Sequence, residues 1–276
     1  MPSPTDFLKH ADLDGALAAA NQAVRAAPAD PKQRLFLYQL NCVLGRWDKA
    51  LNQLAVFAEL SPDPESRLTA RLYRTAIQCE VFRAEVFAGK RQPLLLGEPE
   101  EWLACLMQAC QLLAQGRVAA AAALRDRAFD AAPATPGAVD GRPFAWLADA
   151  DNRLGPVVEL FMEGNYYWAP VNRIRRIALE PPQNLCDLVF APAQFKWANG
   201  GEAAGFIPVR YAAHATAGAA GTATAANPDP KCLLSRLTQW HELPGSFTIG
   251  IGQRMLATDA EEIPLLDCRV IDFQPA

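Results

Sequence analysis

Two stretches of the first half align at a fixed offset. ADLDGALAAANQAVRAAPADP (11–31) and LGRWDKALNQLAVFAELSPDP (44–64) set Ala50 34 residues after Ala16, and Pro62 34 residues after Pro28. That is the period of a tetratricopeptide helix-turn-helix unit, and no other feature narrows the fold as far. The aligned residues have physical roles: Gly45 makes the turn, Trp47 packs on the next turn, and Ala50 is small where two helices approach. Pro62 is expected to close its helix, because proline lacks the amide that would continue it. AQGRVAAAAALRDRAFDAAP (114–133) repeats the pattern with Gly116, Val118, Ala121 and Pro133. An irregular unit fits between, with YRTAIQCEVFRAEVFAGK (73–90) as its second helix. Such arrays stack helix pairs and present a protein-binding face; an ordinary all-α bundle is the plainer alternative.

A break follows at AAPATPGAVDGRP (131–143), rich in proline and glycine, and it reads as a boundary. Beyond it, short runs such as VVELFMEG, NYYWAP, NRIRRIALE, LCDLVFAP, GFIPVRY, SFTIGIGQRM and LLDCRVIDF carry β-branched and aromatic residues between Gly, Pro or Asn. They predict a β-rich region of six to eight strands with one short helix. MEGNYYWAP predicts a hairpin, and LDCRVIDF a strand covered on both faces. Residues 212–230, without a large apolar side chain, read as an excursion between strands. The fold class expected is therefore α+β: tetratricopeptide-like α-helical repeats over 1–133, a linker at 134–143, and a β-rich, barrel-like domain over 144–276.

The totals restrict function. Hydrophobic residues make up 51% and charged residues 20%, a globular balance, and a formal charge of −4 gives no general attraction to nucleic acid. The N-terminus lacks a signal-peptide pattern, and no run is apolar for long enough to span a bilayer. The seven cysteines form no C-x-x-C and suggest reduced thiols; a cytoplasmic protein without membrane insertion is expected.

Chemistry has few candidates. Asp149 and Asp151 in FAWLADADNRLGP (144–156) could hold a divalent metal, or their short carboxylates could cap nearby amides with Arg153 pairing locally. No phosphate loop or nucleophile elbow is present. Cys232 with His241 is a conceivable catalytic pair, yet a cysteine flanked by leucine reads more simply as a buried thiol. His214 reads as an exposed loop residue. Arg173, Arg175 and Arg176, with Tyr166, Tyr167 and Trp168 beside them, could form a partner-binding surface; the plainer readings are a solvated strand face and core rings.

FAWLADADNRLGPVVELFMEGNYYWAPVNRIRRI, then LCDLVFAPA, GFIPVRY, TQW and IGIGQR, together resemble the ImpE family, also called TagJ or SciE-type, of bacterial type VI secretion accessory proteins. The D-A-D-x-R-L-G-P core, 149–156, is the most specific part. The Ala/Gly/Thr-rich stretch at 212–230 departs from the family, where a shorter charged connection is expected. The resemblance implies a non-enzymatic cytoplasmic adaptor without cofactor. Its implied partners are the N-terminal helix of the small sheath subunit and the AAA+ ATPase that disassembles the sheath. It also favours a polar turn network for Asp149, Asp151 and Arg153, with Phe144, Trp146 and Leu147 entering the core. A metal-dependent enzyme using Asp149 and Asp151, and a repeat adaptor for an unrelated complex, remain the alternatives.

Overall fold

The computed structural model describes residues 3–61, 63–213 and 228–274. Its first half is helical: α1 (Pro4–Lys9), α2 (Leu13–Ala26), α3 (Pro31–Val43), α4 (Trp47–Leu60) and α5 (Pro64–Phe87). After the short strand β1 (Leu94–Leu95) come α6 (Glu101–Ala114) and α7 (Val118–Ala131). Local chemistry sets several starts. Asp30 and Asp63 each accept a backbone amide at the head of the next helix, while Pro31 and Pro64 stand at its first position, where no amide is needed. Aspartate followed by proline thus opens helices here. Whether Pro62 closes α4 lies outside the described residues.

The aligned segments become α2, α4 and α7, and Ala16, Ala50 and Ala121 are each fully buried where neighbouring helices meet. The period does not extend across the half. Residues 73–90 lie mostly within α5, which runs for 24 residues, and β1 intervenes before α6. Paired helices are present; a tetratricopeptide array is not established by them.

The second half is sheet-rich. β2 (Gly137–Val139), β3 (Arg142–Phe144), β4 (Leu147–Asp149), β5 (Val157–Met162), β6 (Asn165–Pro170), β7 (Ile174–Leu179), β8 (Phe190–Trp197) and β9 (Glu202–Pro208) come first. The helix α8 (Pro230–Leu233) precedes β10 (Thr238–Leu243), β11 (Phe247–Gly252), β12 (Met255–Thr258), β13 (Glu262–Pro264) and β14 (Val270–Phe273). Nine strands form one sheet in the order β1-β6-β5-β9-β8-β7-β14-β2-β3, with β10-β11 and β13-β12-β4 as smaller sheets. β1 and β3 leave the large sheet with two edges, so the barrel expected from sequence is not closed.

Four other expectations need correction or sharpening. The linker expected at 134–143 contains β2 and the start of β3, paired to each other and to β14. More strands exist than were expected, because β3, β4, β12 and β13 are only three or four residues long. The β5–β6 hairpin turns on Glu163 and Gly164, both at positive φ, one residue before the Gly-Asn pair. β14 lies between β2 and β7, while residues 265–267 form a 3-10 turn instead of extending it. The excursion expected at 212–230, His214 included, falls mostly outside the described residues.

The two halves are not separately cored. One apolar cluster joins Leu37, Tyr38 and Ile77 of the helices to Phe161, Trp168 and Phe190 of the sheet. A second, containing Leu160, Ile177 and Phe195, fills the other face of the sheet. β5 is buried on both faces, and its period of two turns Val157, Glu159 and Phe161 toward the helices. A carboxylate is thereby carried into the junction.

Candidate functional site

The connection from β4 to β5 is the family-like DADNRLGP segment, and it is built inward. The carboxylate of Asp149 accepts the Asp151 amide at 2.9 Å, and that of Asp151 accepts the Arg153 amide at 2.9 Å. Each short carboxylate thus caps the amide two residues on. Arg153 folds back to donate from Nη2 to Asp151 Oδ2 at 2.6 Å, and from Nη1 to the Ala212 carbonyl at 3.1 Å. Its guanidinium lies over the Phe87 ring, 4.7 Å from the centroid. Gly250 donates its amide to Asp151 Oδ2, tying the turn to β11.

Three residues that sequence reasoning did not single out, Arg83, Glu159 and Arg254, complete the network. Arg254 bridges Asp149 and Glu159, and donates to the Pro208 carbonyl. Arg83 of α5 makes a bidentate pair with Glu159, Nε–Oε1 at 2.6 Å and Nη2–Oε2 at 2.8 Å, and also meets Glu80 at 3.0 Å. Tyr166 donates to Glu159, and Trp168 Nε1 donates to Tyr166. Asp151 and Glu159 are fully buried, and Arg83, Arg153 and Arg254 are at most 2% exposed. A glutamate inside the apolar run VVELF was a legible signal, since buried carboxylates are paired; its partner, 76 positions away, was not.

Electrostatics follow from burial and pairing. Desolvation pushes the Glu159 carboxyl up, but Arg83 and Arg254 outweigh it and hold the group at about 2. Desolvation dominates at Asp149 and lifts it to about 6 despite Arg254. Burial also pushes the Cys110 thiol up to about 12. The carboxylate oxygens of Asp149, Asp151 and Glu159 all receive N–H or O–H donors. Both carboxylates of the Asp149–Asp151 pair are already neutralised by arginines, Arg254 and Arg153, so the geometry does not support the metal reading of Asp149 and Asp151. No group of three or more His, Cys, Asp or Glu side chains with metal-holding geometry occurs among the described residues.

The other sequence candidates scatter. Tyr166 and Trp168 point into the helix–sheet junction and are buried, because even-numbered β6 positions face the helices; they cannot form a surface. Tyr167 is half-buried on the opposite face. Arg173 pairs with Glu100 at 3.1 Å, Arg176 with Asp272 at 3.3 Å, and Arg175 is exposed. These arginines do not converge on one point. Phe144 and Leu147 are buried, whereas Trp146, also expected in the core, is 40% exposed.

Two cavities flank the network. One of about 280 Å³ is lined by Trp47, Arg210, Cys232 and His241 among others. Cys232 and His241 share its wall without a hydrogen bond between them, and burial raises the thiol. The other, about 460 Å³, is walled largely by residues 146–156 with Phe129 of α7 and Ala132 just beyond its end. No described helix is long and apolar enough to cross a membrane.

Comparison with known proteins gives a consistent set of matches. The family model for the ImpE protein matches residues 141–272. The chain is 44% identical to the type VI secretion system accessory component TagJ of Pseudomonas aeruginosa, over 98% of this chain and 90% of that protein. A crystal structure of a Vibrio parahaemolyticus protein superposes with a TM-score of 0.86, over 99% of this chain and 98% of that one. At 22% identity this second likeness concerns the fold.

Proposed function

Because the chain belongs to the ImpE family of type VI secretion accessory proteins, which includes TagJ, we propose that it is a non-enzymatic cytoplasmic adaptor of that system. In this reading it takes up the N-terminal helix of the small sheath subunit and links the contractile sheath to the AAA+ ATPase that disassembles it. The observation that carries the reading is the 44% identity to TagJ along nearly the whole chain. The internal chemistry is compatible with it: the buried carboxylates are committed to arginines that tie the helices to the sheet.

The test is a titration of the intact protein with a peptide copying the sheath subunit's N-terminal helix. Saturable binding is expected below about 100 μM, a ceiling that corresponds to only about 5.5 kcal/mol. Absence of binding at that concentration sinks the sheath reading. A pull-down with the ATPase, with and without sheath subunit, tests the second link separately.

A further inference from the structure

We propose that the cavity between the α3–α4 turn, α5 and the β10–β11 hairpin binds a small carboxylic acid with an apolar body, its carboxylate held by Arg210. This site goes beyond the adaptor reading and does not depend on it.

Three observations meet there. First, Arg210 has unused donors. Its Nη1 donates to the Val43 and Leu233 carbonyls at 2.6 and 2.9 Å, and its Nη2 to the Cys42 carbonyl at 3.2 Å. The bonds to Cys42 and Val43 close the carbonyl end of α3. Nε–H and one Nη2 proton are left without a partner among the described residues. Arg83, Arg153 and Arg254 of the buried network each meet a carboxylate, whereas Arg210 forms no ion pair among the described residues. A carboxylate is the group that accepts neighbouring N–H groups of a guanidinium as a pair. Loss of water around Arg210 outweighs the attraction of Glu80 and pulls its pKa below the ordinary 12.5, a cost that a bound anion relieves.

Second, the chain does not supply that anion from the cavity wall. Glu80 lines the same cavity, but both its carboxylate oxygens accept from Arg83 Nη1, at 3.0 and 3.3 Å. It does not stand within ion-pair distance of Arg210.

Third, the cavity is preformed and suits a hydrocarbon body. It measures about 280 Å³, just under the roughly 300–1,000 Å³ usual for ligand pockets, so its guest is small. Trp47, Ala84, Leu233, Ile249 and Ile251 give it apolar walls. Two glycines of β11 set its floor. A Cβ at Gly250 would come within 2.1 Å of the Tyr211 ring, and one at Gly252, whose φ is +96°, within 2.2 Å of the Leu237 carbonyl oxygen. The Cys232 thiol on the wall is pushed up by burial and stays protonated, so the site holds its ligand without reacting with it. A phosphate, with its greater charge and many acceptor oxygens, calls for more donors than one arginine among apolar walls provides.

The test is calorimetric titration of the full chain with octanoate, with 1-octanol as its uncharged counterpart, and with inorganic phosphate. Octanoate is expected to bind at a single site with Kd below about 1 mM, and octanol and phosphate about tenfold more weakly or worse. Ala84→Trp, at an exposed α5 position on the cavity, fills the space and is expected to weaken octanoate about tenfold or more. Arg210→Lys keeps the charge without the paired donors and is expected to lose a similar factor. Melting curves verify folding; because Arg210 also closes α3, Ala84→Trp and the octanol comparison decide if Arg210→Lys is unfolded. Equal affinity for octanoate and octanol reveals a cavity that takes any apolar guest and overturns the role of Arg210. Octanoate binding that ignores Ala84→Trp lies elsewhere and overturns the site, as does absence of binding at about 10 mM. Binding of acetyl-leucyl-leucine with a free carboxylate, where octanoate does not bind, assigns the cavity to a protein chain end and overturns the small-acid reading. Each of these outcomes leaves the adaptor reading to its own peptide titration.

Discussion

Arg83 on α5 and Glu159 on β5 form a buried, two-pronged ion pair, with N–O distances of 2.6 and 2.8 Å and both side chains at most 1% exposed. It is the polar counterpart of the shared apolar core, and it joins the helical half to the sheet. Removing either partner leaves a charge in a low-dielectric interior, which typically costs about 3–5 kcal/mol.

Arg83→Leu is therefore expected to destabilise the protein by about 3 kcal/mol or more. Arg83→Lys recovers only part of that loss, because an ammonium cannot span both carboxylate oxygens. Denaturant unfolding of the three proteins checks this, and a loss under about 1 kcal/mol for Arg83→Leu contradicts it.

Stability is expected to have an optimum in mildly acid solution, from two opposed groups. Glu159, held at about 2 against an ordinary 4.5, contributes stability that is present above about 4.5 and is lost as pH falls toward 2. Asp149, raised to about 6 from 3.8, contributes in the other sense: its stabilisation is full below 3.8 and is lost as pH rises through 6. Urea midpoints at about pH 3, 5 and 7 are predicted to peak at the middle value, and Asp149→Asn to flatten the limb between 5 and 7. A wild-type midpoint that rises from pH 5 to 7 refutes the Asp149 assignment.

Gly155→Ala combines a left-handed backbone with an overlap against Phe129. The conformational part alone costs roughly 1–2 kcal/mol, and overpacking adds to it. Adding Phe129→Ala is predicted to relieve the steric part only, so the two substitutions couple measurably in a double-mutant cycle. Strict additivity would show that the ring does not set the requirement for glycine.

The metal alternative makes an opposite forecast. A cation bound only by the folded state raises the melting temperature. With Asp149 and Asp151 engaged by Arg254 and Arg153, millimolar Mg²⁺ or Mn²⁺ is expected to leave melting unchanged. A rise of several degrees that Asp151→Asn abolishes would restore the metal reading.

The sequence alone determined what depends on near neighbours and on period. The helical first half, the β-rich second half, the β5–β6 hairpin and the buried small residues of α2, α4 and α7 follow from local propensity and spacing. The family likeness followed from the DADNRLGP segment and the runs after it, and the comparisons bear it out. What lay beyond this reading depends on distant parts of the chain meeting. The short strands β2, β3, β4, β12 and β13 carry too few residues to show a pattern and exist through their partners. Trp146 and Trp168 ended on opposite sides of the solvent boundary because Trp168 stands on a β6 position that packs beneath the helices, against Phe87 of α5, and Trp146 does not. Only the tertiary structure decided that Glu159 would meet Arg83 and Arg254, since ion pairing depends on distance in space, which the order of residues along the chain does not encode.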